Sequence, residues 1–476
     1  MLNKDLLLSL ERIVGPENVL TEQSDRLIHG YDATQKQYMP DVVVYVENSL
    51  QVSEIVKLAN QYNIPILPRG AGSGFTGGSL PVQGGIVVVL TRMNAILDID
   101  EDNLTATVEP GVVTAHLQRE VEKSGLFYPP DPASKEFSTI GGNVAECAGG
   151  PRCVKYGVTK DYILGLEVVT PTGDILHTGG VTMKNVAGYD LTKLFVGSEG
   201  TLGIVTRITV KLLPKPAAKK TMLVQFSSID SAARAVSTII RNKIIPTTLE
   251  FLDATTIECI RGKTGLPVLE KCRALLIIEV DGDQEILEKQ TDKILGLLTP
   301  LGILESRVAA DHTEAEAIWD VRRSVSPSMR KINPDKFNED IVVPRSKVPD
   351  MIRALEKISS TYDVPIVNFG HAGDGNIHVN VMVDLQQPGM QATVDKVLLE
   401  IFQTTVDMGG SISGEHGIGT AKAPFLRLEI DPATLHYMQM LKKALDPNNI
   451  MNPGKIFLET SPEQLAFPTQ LQDDPQ

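Results

Sequence analysis

Two histidines, His371 and His378, flank a Gly-Asp-Gly turn in the stretch NFGHAGDGNIHVNV at residues 368–381. Apolar residues on both sides of this turn predict a β-hairpin, which would bring the two imidazoles close together. A later glycine-rich segment, SGEHG, supplies Glu415 as a third donor. Two imidazoles and one carboxylate suit Zn²⁺, Mn²⁺ or Fe²⁺ and leave coordination positions open. The pattern therefore predicts a divalent-metal site formed by His371, His378 and Glu415.

Another interpretation competes with this metal site, because a single histidine is more often a hydrogen-bonded polar residue than a ligand. The occurrence of both HxGDGNxH and GEHG in one chain favours the metal. A 2-His-1-carboxylate set alone would also suit a non-haem iron oxygenase. A metal-dependent oxygenase or hydrolase is therefore a competing prediction, and it would leave the glycine-rich loops with only a structural role.

The segment RGAGSGFTGG at 69–78 contains a formal GxGxxG pattern but lacks the context of a Rossmann dinucleotide-binding turn. In a Rossmann unit these glycines begin a helix, whereas here SLPVQGGIVVVL follows and leads into a strand. What remains is a loop of nearly bare backbone, whose successive N–H groups can bind an anion. A surface loop with tight turns is the alternative interpretation of this segment taken alone.

The predicted elements differ between the two halves of the chain. DVVVYV at 41–46, a helix in LQVSEIVKLANQYN and the strand IPILP form a βαβ unit in the first half. After residue 215, strand–helix–strand units recur, which predicts helices covering one face of an antiparallel sheet. The predicted fold class is α+β, with domains at 1–215 and 216–440 and a C-terminal segment at 441–476 that ends in a polar, mobile tail.

Composition and charge limit the classes of function. The net charge of −14 argues against a nucleic-acid or anionic-membrane partner, and an anionic substrate would need a local basic pocket. The four cysteines include no CxxC pair, which argues against an iron–sulfur cluster held by this chain. No apolar run approaches the roughly 20 residues of a membrane span. We expect a cytoplasmic protein, with any membrane association made through a partner.

Six segments, taken in chain order, resemble one known family. They are PRGAGSGFTGGS, TIGGNVAECAGG, GYDLTKLFVGSEGTLGIVT, GHAGDGNIHVN, GEHGIG and NPGKIF, and the similarity runs from about residue 40 to residue 457. The chain is similar to the FAD-linked oxidases of the vanillyl-alcohol-oxidase type. Within them it resembles the D-2-hydroxy-acid dehydrogenase branch, which contains D-lactate dehydrogenases, D-2-hydroxyglutarate dehydrogenases and the flavoprotein subunit of glycolate oxidase. The resemblance implies a two-part FAD-binding domain and an α+β substrate (cap) domain on an antiparallel sheet.

The resemblance also implies which residues bind FAD. Main chain must approach an extended dinucleotide closely, which glycine permits because it has no Cβ. Some relatives carry a histidine attached covalently to the flavin, whereas this loop has Phe75 and Thr76, so we expect non-covalent FAD. The C-terminal segment would return to the flavin. The implied cofactor-binding residues are Arg69, Gly70, Ala71, Gly72, Ser73, Gly74, Ser79, Thr139, Gly142, Asn143, Gly149, Tyr156, Gly157, Gly200, Ile204 and Asn452.

At the metal, the resemblance implies the same three ligands and adds His416 as the catalytic base. FAD would then be the oxidant, which makes the metal an accessory rather than an oxygenase centre. The metal would act as a Lewis acid on the hydroxyl of a 2-hydroxy acid. His416 would accept the hydroxyl proton, and hydride would pass from Cα to flavin N5.

The substrate carboxylate needs a cation, and Arg322 is the candidate. The stretch TEAEAIWDVRRSVSPSMRK at 313–331 predicts a helix with a capping box of Thr313 and Glu316, and places Arg322 near its C-terminus. A guanidinium can bind a carboxylate through two hydrogen bonds, although the helix dipole alone also favours a cation there. The resemblance implies three substrate-binding residues, Arg322, Ser326 and Asn380.

One departure from the D-2-hydroxyglutarate dehydrogenases concerns substrate size. Asn338 stands where those enzymes have a lysine, which removes a cation suited to a second carboxylate, although Lys336 is near in sequence. We therefore expect oxidation of D-lactate or glycolate, with D-2-hydroxyglutarate as the alternative. Electrons would pass to a separate acceptor, such as an iron–sulfur subunit, an electron-transfer flavoprotein, a cytochrome or a quinone. A non-catalytic flavoprotein subunit that only scaffolds an electron-transfer complex is a further alternative.

Overall fold

The computed structural model describes residues 3–262, 265–329 and 331–457. The C-terminal tail, for which the sequence predicts mobility, lies outside the described residues. Strands within the described ranges assemble into sheets of four, five, two and seven strands. Residues 3–214 are called the N-terminal part below, 218–445 the C-terminal part, and 446–457 the return segment.

The N-terminal part contains eleven strands and seven α-helices among its described residues. The strands are β1 (Val19–Leu20), β2 (Val42–Tyr45), β3 (Ile66–Arg69), β4 (Ile86–Val89), β5 (Ile96–Asp100), β6 (Thr105–Val108), β7 (Leu126–Phe127), β8 (Ile163–Val169), β9 (Ile175–Gly179), β10 (Ile204–Lys211) and β11 (Leu213–Pro214). The helices are α1 (Lys4–Val14), α2 (Gln23–Ile28), α3 (Ser49–Tyr62), α4 (Thr114–Lys123), α5 (Ile140–Glu146), α6 (Cys153–Tyr156) and α7 (Leu191–Phe195).

A four-stranded sheet begins the N-terminal part, in the order β1-β2-β4-β3. Strands β2, β4 and β3 are parallel and α3 connects β2 to β3, so the predicted βαβ unit is confirmed. Val42 and Val44 of β2 pack with Leu6 of α1 and Ile55 of α3, while Val43 packs on the other face. Burial on both faces explains the uninterrupted apolar run of this strand.

The return segment continues this sheet beside β3. The N–H of Ile66 donates to the carbonyl of Ile450 at 2.8 Å, and the N–H of Asn452 donates to the carbonyl of Ile66 at 2.8 Å. These bonds bring the end of the described chain to the strand that leads into the glycine loop.

A five-stranded antiparallel sheet, β5-β6-β10-β8-β9, forms the second half of the N-terminal part. Helices α4 and α5 cover it, with Leu117 and Val144 packed against Leu166 and Ile208. Helix α5 begins at Thr139, whose side chain accepts a hydrogen bond from the N–H of Gly142 at 3.2 Å. This cap holds the glycine-rich segment TIGGN at one edge of the sheet.

The C-terminal part contains seven strands and nine α-helices among its described residues. The strands are β12 (Ala218–Phe226), β13 (Thr248–Leu252), β14 (Ala274–Gly282), β15 (Ile303–Val308), β16 (Asp335–Val342), β17 (Ile366–His371) and β18 (Asn376–Val383). The helices are α8 (Ile229–Arg241), α9 (Ala254–Ile260), α10 (Gln284–Leu298), α11 (His312–Arg323), α12 (Val325–Met329), α13 (Val348–Tyr362), α14 (Met390–Asp407), α15 (Leu426–Glu429) and α16 (Pro432–Leu445).

All seven strands form one antiparallel sheet, in the order β15-β12-β14-β13-β17-β18-β16. The α+β class is as predicted, but the prediction that helices cover only one face is wrong. Leu276 of β14 faces the cluster that contains α8, α10, α13 and α14, whereas Ile277 faces α9, α11 and α12. The continuous apolar run of β14 is a sequence signal for burial on both faces.

Helix α11 does not use the predicted capping box. Its N-cap is Asp311, whose side chain accepts a hydrogen bond from the N–H of Glu314 at 3.0 Å. Aspartate is a favoured N-cap because its carboxylate satisfies an N–H of the first turn. The helix ends at Arg323, so Arg322 lies in its last turn as the sequence predicts. No helix among the described residues combines the length and the apolar character needed to cross a membrane.

Candidate active site

The predicted hairpin is formed by β17 and β18, and it brings three donor side chains together. The Nε2 atoms of His371 and His378 lie 3.3 Å apart. Oε1 of Glu415 lies 3.5 Å from Nε2 of His371 and 3.6 Å from Nε2 of His378. One donor atom from each residue falls within 4.8 Å of the others. Such a donor set can hold a divalent ion.

A buried carboxylate, Glu250, holds His371 from behind. Glu250 lies on β13 directly opposite His371 on β17, and its Oε1 hydrogen-bonds to His371 Nδ1. Burial would lower the pKa of His371, but the charges of Glu250 and Glu415 raise this pKa well above its usual value. Burial and the neighbouring His371 hold the pKa of His378 well below its usual value, so its ring is neutral and can offer a lone pair.

The second oxygen of Glu250 binds Arg322. Arg322 Nε donates to Glu250 Oε2 at 2.8 Å, and the guanidinium carbon lies 4.3 Å from the ring centroid of Phe369. These contacts hold the guanidinium against the sheet beside His371. The two other predicted substrate-binding residues, Ser326 and Asn380, line the same cavity. Among the described residues, Asn380 Oδ1 has no hydrogen-bond partner, which leaves an acceptor for a ligand.

A second buried carboxylate, Asp340, holds His416. Asp340 Oδ1 lies 3.3 Å from His416 Nδ1, and Oδ2 accepts from the N–H of Gly414 at 2.8 Å and of Glu415 at 2.6 Å. The ammonium of Lys422 also binds Asp340. Burial would raise the pKa of Asp340, but His416 and Lys422 lower it to about 2. Asp340 is therefore ionised and faces His416 Nδ1, although no hydrogen bond joins the two groups, and its Oδ2 binds main-chain N–H groups of residues 414–416.

The ring of His416 is stacked between two others. Its centroid lies 5.2 Å from that of Phe75 in the glycine loop and 5.5 Å from that of His378. The carbonyl of His416 also accepts a hydrogen bond from the hydroxyl of Thr76 at 3.1 Å. The candidate base thus lies between the glycine loop and the candidate metal ligands.

The glycine loop after β3 has no helix in residues 70–85, all of which are described, as the sequence predicts. The Arg69 side chain lies behind the loop: Nη2 donates to the carbonyl of Tyr31 at 2.8 Å and Nη1 to that of Ser79 at 3.2 Å. Gly72 has a φ of +64°, and a Cβ there would collide with the Arg69 guanidinium. The loop therefore needs glycine at this position to fold over its arginine.

A cavity of about 590 Å³ joins the glycine loop to the metal and base residues. Its volume is in the range of small-molecule and cofactor sites. Most of the predicted cofactor-binding residues line it, namely Gly70, Ala71, Gly72, Ser73, Gly74, Ser79, Thr139, Gly142, Asn143, Gly149 and Gly200. The predicted metal, base and substrate residues line the other end, namely Arg322, Ser326, His371, His378, Asn380, Glu415 and His416.

Five predicted cofactor-binding residues are not in the cavity wall and have other contacts. Arg69 supports the loop as described, and Ile204 is buried in the core around the first sheet. Tyr156 donates its hydroxyl proton to Asp281 on β14 at 2.8 Å, and Gly157 follows it. Asn452 Nδ2 donates to the carbonyls of Gly78 and Glu199 at 2.9 and 2.7 Å, which ties the return segment to the loop.

Sequence reasoning did not find Glu250, Asp340 or Lys422. All three are buried, and Glu250 interrupts an apolar strand, whereas Asp340 lies in the largely polar strand DKFNEDIV. An acid inside an apolar run is a usable signal, because a buried charge requires a charged or hydrogen-bonding partner. The identity of the partner could not be inferred, since it depends on strand pairing and on loop positions far along the chain.

Comparisons with known proteins agree with this geometry. Residues 40–179 match the family described as "FAD binding domain", and residues 215–456 match "FAD linked oxidases, C-terminal domain". The chain is 46% identical to the glycolate oxidase subunit GlcD of Bacillus subtilis, over 98% of this chain and 99% of that protein. It is 34% identical to a D-lactate dehydrogenase of Anaerostipes hadrus, over 93% and 95% of the two chains.

Among solved structures, p-cresol methylhydroxylase superposes with a TM-score of 0.78 over 95% of this chain and 96% of that chain, at 20% identity, which supports the fold alone. The chain belongs to the FAD-linked oxidases, as its motifs predict. It is an FAD-dependent oxidoreductase.

Proposed function

We propose that this chain oxidises a small 2-hydroxy acid, D-lactate or glycolate, to the 2-oxo acid. The observation that supports this proposal most directly is the cavity that joins the glycine loop to His416, Arg322 and the His371–His378–Glu415 cluster. The names of the similar proteins, a glycolate oxidase subunit and a D-lactate dehydrogenase, support the substrate class.

The cofactor end of the cavity fits FAD. Its wall is largely main chain, and at Gly149 a Cβ would lie 2.5 Å from Glu415 Oε2, so a larger residue would intrude between the two ends. Bound FAD supplies the acceptor for the hydride removed from Cα of the substrate. With no histidine in the glycine loop, the FAD is proposed to be non-covalent.

At the substrate end, each group has a role that its surroundings support. Arg322, fixed by Glu250, binds the substrate carboxylate. His416, whose Nδ1 lies 3.3 Å from the ionised Asp340, accepts the hydroxyl proton at Nε2. The cluster of His371, His378 and Glu415 fits a divalent ion, Zn²⁺, Mn²⁺ or Fe²⁺, and such an ion supplies Lewis acidity that lowers the pKa of a hydroxyl.

The wall near the substrate end favours a small side chain. Asn338 lines the cavity with a neutral amide, and Lys336 lies with its ammonium 5.8 Å from the ring centroid of Phe75. Lys336 also lines the cavity and could bind a second carboxylate, so D-2-hydroxyglutarate is the alternative substrate. The proposed preference for the D enantiomer of the substrate rests on the resemblance to the D-2-hydroxy-acid dehydrogenases.

Reduced cofactor needs an electron acceptor, which we propose is a separate protein such as an iron–sulfur subunit or an electron-transfer flavoprotein. The word "subunit" in the name of the B. subtilis relative supports an assembly with partners. We also propose that residues 1–215 form the FAD-binding domain and 216–440 the substrate domain, with the segment from 441 returning to the first. The change of sheet between β11 and β12 supports that boundary.

Anaerobic titration of the purified yellow protein tests the proposal. Absorbance at 450 nm is followed while glycolate, D-lactate, L-lactate and D-2-hydroxyglutarate are added, with and without a chelator. We expect bleaching by glycolate or D-lactate, loss of bleaching after chelation, and recovery with Zn²⁺ or Mn²⁺. Bound FAD that none of the four acids reduces would contradict the proposal and favour the scaffold alternative. Bleaching that survives chelation would remove the metal from the mechanism.

A further inference from the structure

Glu250 contacts two of the candidate site residues, although the proposed reaction gives Glu250 itself no role. Its side chain is fully buried on β13, in the interior of the seven-stranded sheet. Oε1 meets His371 Nδ1, and Oε2 accepts from Arg322 Nε at 2.8 Å. One carboxylate therefore uses its two oxygens on a candidate metal ligand and on the candidate cation for the substrate carboxylate.

We propose that Glu250 is a positioning residue that couples metal binding to recognition of the substrate carboxylate. This inference rests on the proposed function, because it takes His371 as a ligand and Arg322 as the carboxylate-binding group.

On the metal side, Glu250 sets the tautomer of His371. An ionised carboxylate at Nδ1 requires a proton there, so the proton that a metal ion displaces is the one on Nε2, and the lone pair offered to the ion lies on that atom. Nε2 is the atom that lies 3.3 Å from His378 Nε2 and 3.5 Å from Glu415 Oε1. Glu250 therefore orients the ring and raises the basicity of the nitrogen that faces the cluster.

On the substrate side, Glu250 restricts the Arg322 guanidinium. The hydrogen bond uses Nε, and the Phe369 ring lies 4.3 Å from the guanidinium carbon. A planar cation held at one edge and one face loses little further freedom when it binds a carboxylate. The terminal nitrogens are not used by Glu250, so they can bind the substrate.

A purely structural role makes a different prediction. Removing one partner of a buried ion pair destabilises the fold at any such site, but the Glu250 site in addition needs an acceptor at each carboxylate oxygen. Glutamine offers one acceptor and one donor, so in Glu250→Gln either Arg322 loses its acceptor or His371 must accept at Nδ1, which moves the ring proton to Nε2, the atom that faces the cluster. Asp253→Asn is the matched control: it makes the same change at a buried carboxylate just after β13, and Asp253 contacts Thr256 and Asn368 instead.

The first measurement is the affinity of the protein for Zn²⁺. FAD-loaded protein is first stripped of metal with a chelator. Its Zn²⁺ affinity is then determined by competition with a chromophoric chelator, without any substrate. Loss of a partner that orients a histidine ligand typically weakens metal binding by about 10- to 100-fold, and we expect this for Glu250→Gln. Asp253→Asn should stay within about twofold of the wild type. A Glu250→Gln variant with wild-type Zn²⁺ affinity overturns the inference.

The second measurement is steady-state oxidation of glycolate at saturating Zn²⁺. We expect KM to rise about tenfold in Glu250→Gln, the scale of one charge-assisted hydrogen bond. Arg322→Lys should raise KM without changing Zn²⁺ affinity, so only Glu250 moves both constants. A Glu250→Gln variant with weaker Zn²⁺ binding and unchanged KM also overturns the coupling.

Two further outcomes are distinguishable. If Glu250→Gln does not fold, Glu250→Asp replaces it in the test. Aspartate keeps both acceptor oxygens but is shorter by one methylene. Smaller changes in Zn²⁺ affinity and in KM are therefore expected. A wild-type protein that binds no Zn²⁺ overturns the metal role in the proposed function itself, and the inference with it.

Discussion

Asp340 and Glu250 are carboxylates that face Nδ1 of the two histidines on which the proposed chemistry depends. Asp340 lies 3.3 Å from His416 Nδ1, and Glu250 binds His371 Nδ1. Both carboxylates are fully buried and belong to strands of the same sheet. A buried carboxylate at Nδ1 fixes the ring and its tautomer. In the proposed reaction, these carboxylates leave Nε2 of one ring to act as the base and Nε2 of the other to act as a metal ligand.

His416→Ala tests the base at the residue scale. We expect FAD content to be unchanged and the rate of flavin reduction by substrate to fall about 10²- to 10⁴-fold, the usual contribution of a positioned base. Anaerobic stopped-flow absorbance at 450 nm measures the rate. His436→Ala, at an exposed histidine of α16, is the control and should reduce at the wild-type rate. Fast flavin reduction in His416→Ala would remove this residue as the base.

The sequence identifies the reactive residues more readily than their supports. His371 and His378 lie in one hairpin, so local turn chemistry predicts their approach. Glu250 lies 121 positions before His371, and Asp340 lies 76 positions before His416. Contacts at such separation depend on strand order and register, which no local period in the sequence encodes. Only Glu250 could be suspected, as an acid inside an apolar strand, because the strand that contains Asp340 is largely polar.

At the scale of elements, the seven-stranded sheet decides which side chains meet. Strand β13 pairs with β17, which places Glu250 opposite His371, and β16 pairs with β18, which places Asp340 opposite His378. The βαβ unit and the hairpin follow from periodicity and turn residues. That helices cover both faces of the sheet does not follow from the repeated strand–helix–strand order, because this order does not state on which side each helix crosses.

The end of β13 supports a pH-dependent prediction. Burial raises the pKa of Asp253 to about 6, although hydrogen bonds from Thr256 and Asn368 oppose the rise. An unfolded aspartate titrates near pH ~3.9. The folded state is therefore stabilised by the protonated carboxyl group most fully below about pH 4. This contribution to the free energy of unfolding, about 3 kcal/mol, is lost as pH rises through about 6.

Asp253→Asn should remove this dependence. We expect the free energy of unfolding of the wild type, relative to Asp253→Asn, to fall by about 3 kcal/mol between about pH 4 and pH 7. Urea unfolding of FAD-saturated protein across this range measures the difference, and groups that titrate in both proteins cancel. A difference that stays constant with pH would show that the pKa of Asp253 is the same in the folded and unfolded protein.

At the scale of the whole molecule, the cavity depends on contact between the N-terminal and C-terminal parts. Thr76 of the glycine loop donates to the His416 carbonyl, and Gly149 leaves room for Glu415. On the far side of Gly149, helix α6 reaches β14: Tyr156 donates to Asp281 at 2.8 Å, and the ammonium of Lys155 also binds this carboxylate. The contact fixes the wall that runs from Gly149 into α6 against the seven-stranded sheet.

Asp281→Ala tests whether this contact keeps the cofactor end closed. The change removes a charge-assisted bond to Tyr156 and an ion pair whose carboxylate is 6% exposed. Because one bond of this type corresponds to about tenfold in an equilibrium constant, we expect FAD to bind about tenfold more weakly. The maximal rate of flavin reduction should stay within about twofold, since Asp281 is not among the residues that line the cavity.

FAD affinity is measured by the recovery of free-flavin fluorescence on dilution. Asp283→Ala, two residues further on and exposed, is the matched control and should bind FAD as the wild type does. Equal FAD affinity in the two variants would mean that the bridge between α6 and β14 does not hold the wall, and that the loop contacts at Thr76 and Gly149 suffice.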